Sequence, residues 1–264
     1  MRKFLLGDLM AVQLCLTALD GIPTIRSGAD LANLVLEAAA RTGVVLRDGD
    51  ILVLAQKIVS KAEGRFARLR DVEPSARARE LAAKSGKDPR VVELILREST
   101  EVVRARPGVI IVAHRLGLVM ANAGIDASNV EGEDGGELVL LLPKDPDASA
   151  ARLRERIRAA AGVDLGVIIN DSVGRAWRLG TVGTAIGVAG LPGLLDLRGR
   201  PDRTGRALQV TEVGVADEAA AAASLIMGQA AEGRPVIHMR GFPYPQRVGS
   251  AAELVRPKDQ DLFR

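Results

Sequence analysis

Three observations predict an α+β fold with mixed sheets. Short apolar runs recur along the chain. Capped amphipathic segments lie between them. The two kinds alternate irregularly, without the strict strand–helix–strand repeat of a wound parallel sheet.

The elements follow in order. Residues 8–19 read as a first strand, because Asp8 and Gln13 interrupt the apolar run behind Met1-Arg2-Lys3 and no small-residue cleavage site follows. Ser27-Gly-Ala-Asp30 opens a helix with Leu31, Leu34, Val35 and Ala38 on one face, closed near Gly43. Pro74-Ser75 starts a helix that ends at Gly86, and Asp88-Pro89 supplies a cap and first-turn proline for the next. An Arg-rich helix spans 147–161, and an Ala-rich helix spans 217–231 and stops near Gly233. Strands are expected at 51–55, 109–113, 118–121, 138–142, 165–169, 185–189, 208–211 and 236–239. Several are apolar throughout, as strands buried on both faces are. Gly187, Gly190 and Gly193 read as turn glycines. No internal repeat or long linker divides the chain, so residues 1–264 read as a single catalytic unit with room for two subdomains.

Composition removes several function classes. Lys plus Arg is 36 against 33 for Asp plus Glu, a net charge of +3, too small over 264 residues for a nucleic-acid binder. Aromatic residues are 2%, few for stacking bases or sugars. The one cysteine, Cys15, excludes an intrachain disulfide and a Cys-based metal site. The two histidines, His114 and His238, read as core or edge residues, so any metal should be a hard cation held by oxygen. No segment approaches a membrane span, and a cytoplasmic protein is expected. P-loop, dinucleotide-fold and nucleophile-elbow motifs are missing.

Four segments carry candidate chemistry. Gln56-Lys57-Ile58-Val59-Ser60-Lys61 follows the run 51–55, where Lys57 and Lys61 could meet phosphates and Ser60 donate to one; a solvated basic loop fits the spacing equally well. Asn122-Ala-Gly-Ile-Asp126-Ala-Ser128-Asn129 offers Asp126 to a divalent cation, or forms an Asx-type turn. Asn170-Asp171-Ser172 ends the strand 165–169 with a carboxylate and a hydroxyl suited to a phosphate-bound Mg²⁺ or Mn²⁺. Arg175 and Arg178 could neutralise a transferred phosphoryl group; strand-end capping and a surface arginine pair is the alternative. Gln229, late in the last helix, reads by itself as a surface-helix residue. The residues alone point to metal-assisted phosphate chemistry without naming a substrate.

Together these segments resemble the coenzyme F420-0:L-glutamate ligase family. The carriers are Gly21-Ile22-Pro23, Ala55-Gln56-Lys57-Ile58-Val59-Ser60-Lys61-Ala62-Glu63-Gly64, Asn122-Ala-Gly-Ile-Asp126-Ala-Ser-Asn129-Val130, Leu142-Pro143-Lys-Asp145-Pro146-Asp147-Ala-Ser149-Ala150, Asp171-Ser172-Val-Gly-Arg175, Ala185-Ile186-Gly187-Val188-Ala189-Gly190 and Val215-Ala216-Asp217-Glu218. Each is weak alone; their common order is not. The resemblance implies an unusual α+β fold, an intertwined homodimer, and transfer of L-glutamate to the lactyl carboxylate of F420-0 at the expense of GTP. It implies two Mn²⁺ or Mg²⁺ ions and a monovalent cation such as K⁺. Asp126 and Asp171 would hold metal, with Ser172 and Gln229 completing a second site. Ile22, Pro23, Thr24, Ile25, Gln56, Lys57, Lys61 and Asn129 would contact GTP, and Lys61 and Arg175 would assist the transfer.

The family usually shows Thr-Asp-Thr where this chain has Asn170-Asp171-Ser172, a change expected to keep metal binding and adjust only packing at Asn170. Gln229 stands where archaeal members often carry Glu, which should weaken that site. A flavin-reductase-like C-terminal domain found in some homologues has no room before Arg264. The alternatives are a ligase of this fold acting on a variant F420 precursor or another carboxylate, and a nucleotide-binding homologue without ligase activity.

Overall fold

A computed structural model describes residues 12–126 and 137–261. The chain runs through β1 (Cys15–Ala18), α1 (Leu31–Thr42), β2 (Ile51–Ala55), α2 (Gln56–Ala62), β3 (Phe66–Arg68), α3 (Ala76–Ser85), α4 (Pro89–Arg97), β4 (Ser99–Arg106), β5 (Val109–His114) and β6 (Val119–Ala121). It continues through β7 (Leu138–Leu140), α5 (Pro146–Ala161), β8 (Gly166–Gly174), β9 (Thr181–Ala189), β10 (Leu195–Asp196), β11 (Glu212–Val213), α6 (Val215–Met227) and β12 (Val236–Arg240). Among the described residues the architecture is α+β, with one mixed sheet and three small antiparallel ones in place of the several mixed sheets expected.

The main sheet has the order β1-β12-β2-β8-β9. β2 and β8 pair in parallel and the other neighbours are antiparallel. Leu52 and Leu54 pack with α1 and α5 on one face; Ile51 and Val53 pack with α6 on the other. Both faces of β2 are covered, which is why its sequence is apolar without alternation. A smaller unit of α3, α4 and the sheet β4-β5-β6 has its own apolar cluster around Ile95, Ile110 and Val112.

The helix starts follow capping chemistry. Asp30, Ser75, Asp88 and Asp145 each accept a first-turn backbone N–H, and Gly43, Gly86 and Gly162 close α1, α3 and α5 in the left-handed region. Each cap contributes about 1 kcal/mol.

Several sequence expectations need correction. Residues 56–62 form a helix that leaves β2 directly, not a basic loop. The first strand is shorter than 8–19, and residues 8–11 lie outside the described residues. β8 runs on through Asn170, Asp171 and Ser172 to Gly174, because β9 continues to pair with it as a hairpin. No strand forms at 208–211; that stretch belongs to an irregular ribbon whose outer pairing is Pro201 with Ala207, and Val210 is exposed there. The last helix ends at Met227, because Gly228 turns away with φ of 77°. Gly187 lies inside β9, not in a turn. A Cβ on it would stand 2.4 Å from Pro146 O, so the missing side chain lets α5 sit on the strand. β4 escapes sequence detection because its edge position and bulges leave only Val102 and Ala105 packed inward.

β9 is an edge strand, and its outward amides are covered by carboxylates from two helices. Val188 N–H donates to Asp147 of α5, and Ala185 N–H donates to Asp217 of α6, both at 2.8 Å. Asp147 also accepts from Ala251 N–H.

A buried ion cluster ties the smaller unit to the rest. Glu98, at the end of α4, accepts from Arg65 at 3.0 Å and from Arg115 at 2.9 Å, and His114 lies 3.6 Å away. Arg65 and Arg115 in turn donate to the carbonyls of Leu142 and Lys144. Burial alone would raise the Glu98 carboxyl, but His114, Arg115 and Arg65 outweigh it and hold it at about 2 against an ordinary 4.5.

Two outcomes follow. Gly187→Ala should cost about 2 kcal/mol, read in urea melts, since the nearest atoms are backbone and cannot swing aside. Glu98→Gln should cost on the order of 3 kcal/mol at neutral pH. A carboxyl depressed in the folded state stabilises only above its unfolded value, so this deficit should close as pH falls from about 4.5 towards 2 in paired melts.

Candidate functional site

At the end of β2 the chain enters α2 without an intervening loop, so the first turn of the helix stands over the end of the sheet. Lys57 and Lys61 are one turn apart and share a face. Both line a cleft of about 730 Å³. Ile58 and Val59 fix the opposite side of α2 in the main core. Ser60 does not reach the cleft: it is fully buried, and its hydroxyl donates to Gln56 Oε1 at 2.9 Å. The phosphate contact expected for Ser60 is therefore excluded, because the buried helix face carries it.

Asp126 arrives from the smaller unit. Its backbone exchanges both hydrogen bonds with Leu140, at 2.9 and 2.8 Å, which pins it beside β7. Asn122, with φ of 53°, accepts from Ile110 N–H through Oδ1 and shapes the turn before it. The Asp126 carboxylate is mostly buried and pairs with Lys57 Nζ at 2.6 Å.

Asp171 and Ser172 come from β8, just past a bulge. Ile169 pairs with Gly187 and Asn170 with Ala185, so β9 has Ile186 in excess. The bulge re-aims the strand that carries the next side chains, and the amide of Ala185 is the one that Asp217 receives. Asp171 accepts from Ser172 N–H at 2.8 Å. Burial pushes the Asp171 carboxyl up; the Ser172 amide and Lys57 oppose this, and the Asp126 charge adds to it.

Gln229 enters the cleft from beyond α6, not from a helix surface. Gly228 reverses the chain, and Ser172 Oγ donates to Gln229 Oε1 at 2.6 Å. The segment Ile22, Pro23, Thr24 and Ile25 forms another wall, held by Ile25 in the core and by Arg41 donating to Gly21 O.

The cleft therefore gathers Ile22, Pro23, Thr24, Ile25, Gln56, Lys57, Lys61, Asp126, Asp171, Ser172 and Gln229 from five separate stretches of sequence. Arg175 is not among its lining; it sits at the hairpin apex and donates to Gly180 O at 3.1 Å. Asn129 lies outside the described residues. Glu232 and Arg234 also line the cleft and were not anticipated. No local pattern marks them: Ala55 N–H donates to Pro235 O, and that long-range bond draws the segment to the rim.

The donors suit a hard cation. Two carboxylates, a hydroxyl and an amide oxygen are the ligand types that Mg²⁺ or Mn²⁺ accepts. Among the described residues no three His, Cys, Asp or Glu side chains come together as a metal group, so a cation here would draw on the two carboxylates together with the hydroxyl and amide oxygens. Two lysines beside that oxygen cluster are the complement of a polyphosphate.

The family model described as F420-0:Gamma-glutamyl ligase matches residues 21–241. The chain is 47% identical over 251 residues to the coenzyme F420:L-glutamate ligase of Methanothermobacter thermautotrophicus, spanning 94% of this chain and 98% of that one. It is 47% identical over 244 residues to the protein of the same name from Methanopyrus kandleri, spanning 91% and 93%. It is 44% identical over 245 residues to that of Archaeoglobus fulgidus, spanning 93% and 94%. The match runs from the wall at Ile22 through both aspartates to the far side of Gln229, so the whole cleft lies inside it, and the chain belongs to the F420-0:gamma-glutamyl ligase family.

Proposed function

We propose that the protein uses GTP to couple L-glutamate to the lactyl carboxylate of F420-0, and that it can add further γ-linked glutamates. The observation that carries this reading is the meeting of Lys57 and Lys61 with Asp126, Asp171, Ser172 and Gln229 in one cleft.

The carboxylate oxygen of the acceptor attacks the γ-phosphorus of GTP, and GDP leaves. The acyl phosphate is then attacked at carbon by the glutamate amine; phosphate leaves and a proton is released. Asp126 and Asp171 would hold a divalent cation, with Ser172 and Gln229 supporting a second, and K⁺ would assist. Such cations supply charge neutralisation on the phosphates. Lys61 faces the same phosphates as a fixed charge. Lys57, once released from Asp126, adds a second. Gln56 and the wall from Ile22 to Ile25 would seat the nucleoside, with Asn129. We assign no contact to Arg175 in this geometry. We place the protein in the cytoplasm as a homodimer, which would cover the Trp177 and Leu179 side chains exposed at the β8–β9 apex. Among the described residues no helix is long and apolar enough to cross a membrane.

Incubation with GTP, Mn²⁺, glutamate and F420-0 should give a product heavier by one glutamyl residue; no mass gain with a competent acceptor overturns the reading. Lys61→Ala should lower turnover by roughly a hundredfold. Asp171→Ala should reduce it at least as far, and should also weaken Mn²⁺ binding. Calorimetry should show GTP binding to the metal-loaded protein far more tightly than ATP.

A further inference from the structure

Asn170 is buried in β8 and 3% exposed. Its side chain faces α6. Nδ2 donates to Ser224 Oγ at 3.0 Å and lies 3.6 Å from Met227 Sδ, so one amide spans the last turn of the helix. Its Oδ1 has no hydrogen-bond partner and is sealed from solvent. Exchanging the two amide atoms would leave the nitrogen unpaired instead and set an oxygen against the sulfur, which is worse.

A buried amide oxygen without a partner is costly, and an apolar side chain of similar size would avoid that cost. Stability therefore gives no reason for an asparagine here. Its position gives one. Residues 170 and 172 alternate onto the same side of β8. Ser172 holds Gln229, and Asn170 holds the helical turn that ends at Gly228 immediately before Gln229. Gly228 has φ of 77° and ψ of 176°, so Gln229 has no helix of its own to fix it. Its direction is set by where α6 stops.

We propose that Asn170 is a positioning residue: by clamping Ser224 and Met227 it fixes the end of α6 and so aims the Gln229 oxygen, with Ser172, at a divalent cation. This rests on the reading of Gln229 as a cation ligand in the proposed function. It extends beyond the local packing expected of residue 170.

The test is titration of Mn²⁺ alone into the purified protein, followed by electron paramagnetic resonance, with no nucleotide or acceptor present. Asn170→Leu should bind Mn²⁺ roughly tenfold more weakly, while its thermal midpoint stays at or above that of the wild type. Ser224→Ala, which removes the same contact from the helix side, should weaken binding roughly threefold or more. In a Gln229→Ala background, Asn170→Leu should cost nothing further. Unchanged Mn²⁺ affinity in Asn170→Leu overturns the proposal, as does a loss that adds in full to that of Gln229→Ala. If Gln229→Ala itself binds Mn²⁺ like the wild type, the cation reading of Gln229 falls, and the proposal with it.

Discussion

The cleft depends on how the exposed edge of β9 is satisfied. An edge strand presents unpaired amides, and a bulge adds irregularity to them. Here Asp217 accepts the amide of Ala185 at the bulge, and Asp147 accepts that of Val188 further along. Each aspartate belongs to the first turn of its helix, so each bond also fixes where that helix begins against the sheet. α5 can lie close because Gly187 has no side chain, and α6 can lie close because Gly183 has none: a Cβ there would stand 2.5 Å from Ala220 O. With β9 and both helices fixed, the register of β8 is fixed, and Asp171 and Ser172 project from a rigid strand, not a loop.

The smaller unit solves a different problem. Asp126 must come from outside the main sheet, and its segment is held at both ends. The pairing with Leu140 sets its backbone. The Glu98 cluster joins the end of α4 to Arg65, Arg115 and the carbonyls before α5. These charge-assisted bonds fix directions as well as distances, and removing one partner would leave a partly buried charge unpaired.

Much of this was legible in the sequence, and the reasons differ by element. Three helix starts are readable because capping is local: Asp30, Ser75 and Asp88 each act on an amide two or three residues away, while the Asp145 cap starts α5 one residue before the expected 147. β2 was readable from an unbroken apolar run, and β12 from a short apolar run that only His238 interrupts. α2 was not, because its buried face shows only after β2 is placed, and Ser60 and Gln56 satisfy each other inside it. β4 was hidden by edge exposure, and the length of β8 by a hairpin that extends past the core. Lys57, Lys61, Asp126, Asp171 and Ser172 stand out in the sequence as charged and hydroxyl groups at strand ends, whereas Gln229 and the wall from Ile22 to Ile25 are marked only by the family resemblance. Glu232 and Arg234 were missed because they reach the cleft only through a long-range amide bond from Ala55 to Pro235.

The contact between Lys57 and Asp126 carries a consequence for loading. The carboxylate already has a positive partner at 2.6 Å, attached to the protein by a flexible stem. A cation that took the same carboxylate oxygen would displace that ammonium, and its uptake would then be an ion exchange. The displaced charge stays tethered one helical turn from Lys61, facing the same open space. Entry of such an ion would free the ammonium to face an entering polyanion, so the positive charge on offer would gain a mobile, directed member. A cation and a polyanion that both used this cleft would then be coupled through one side chain that changes sides.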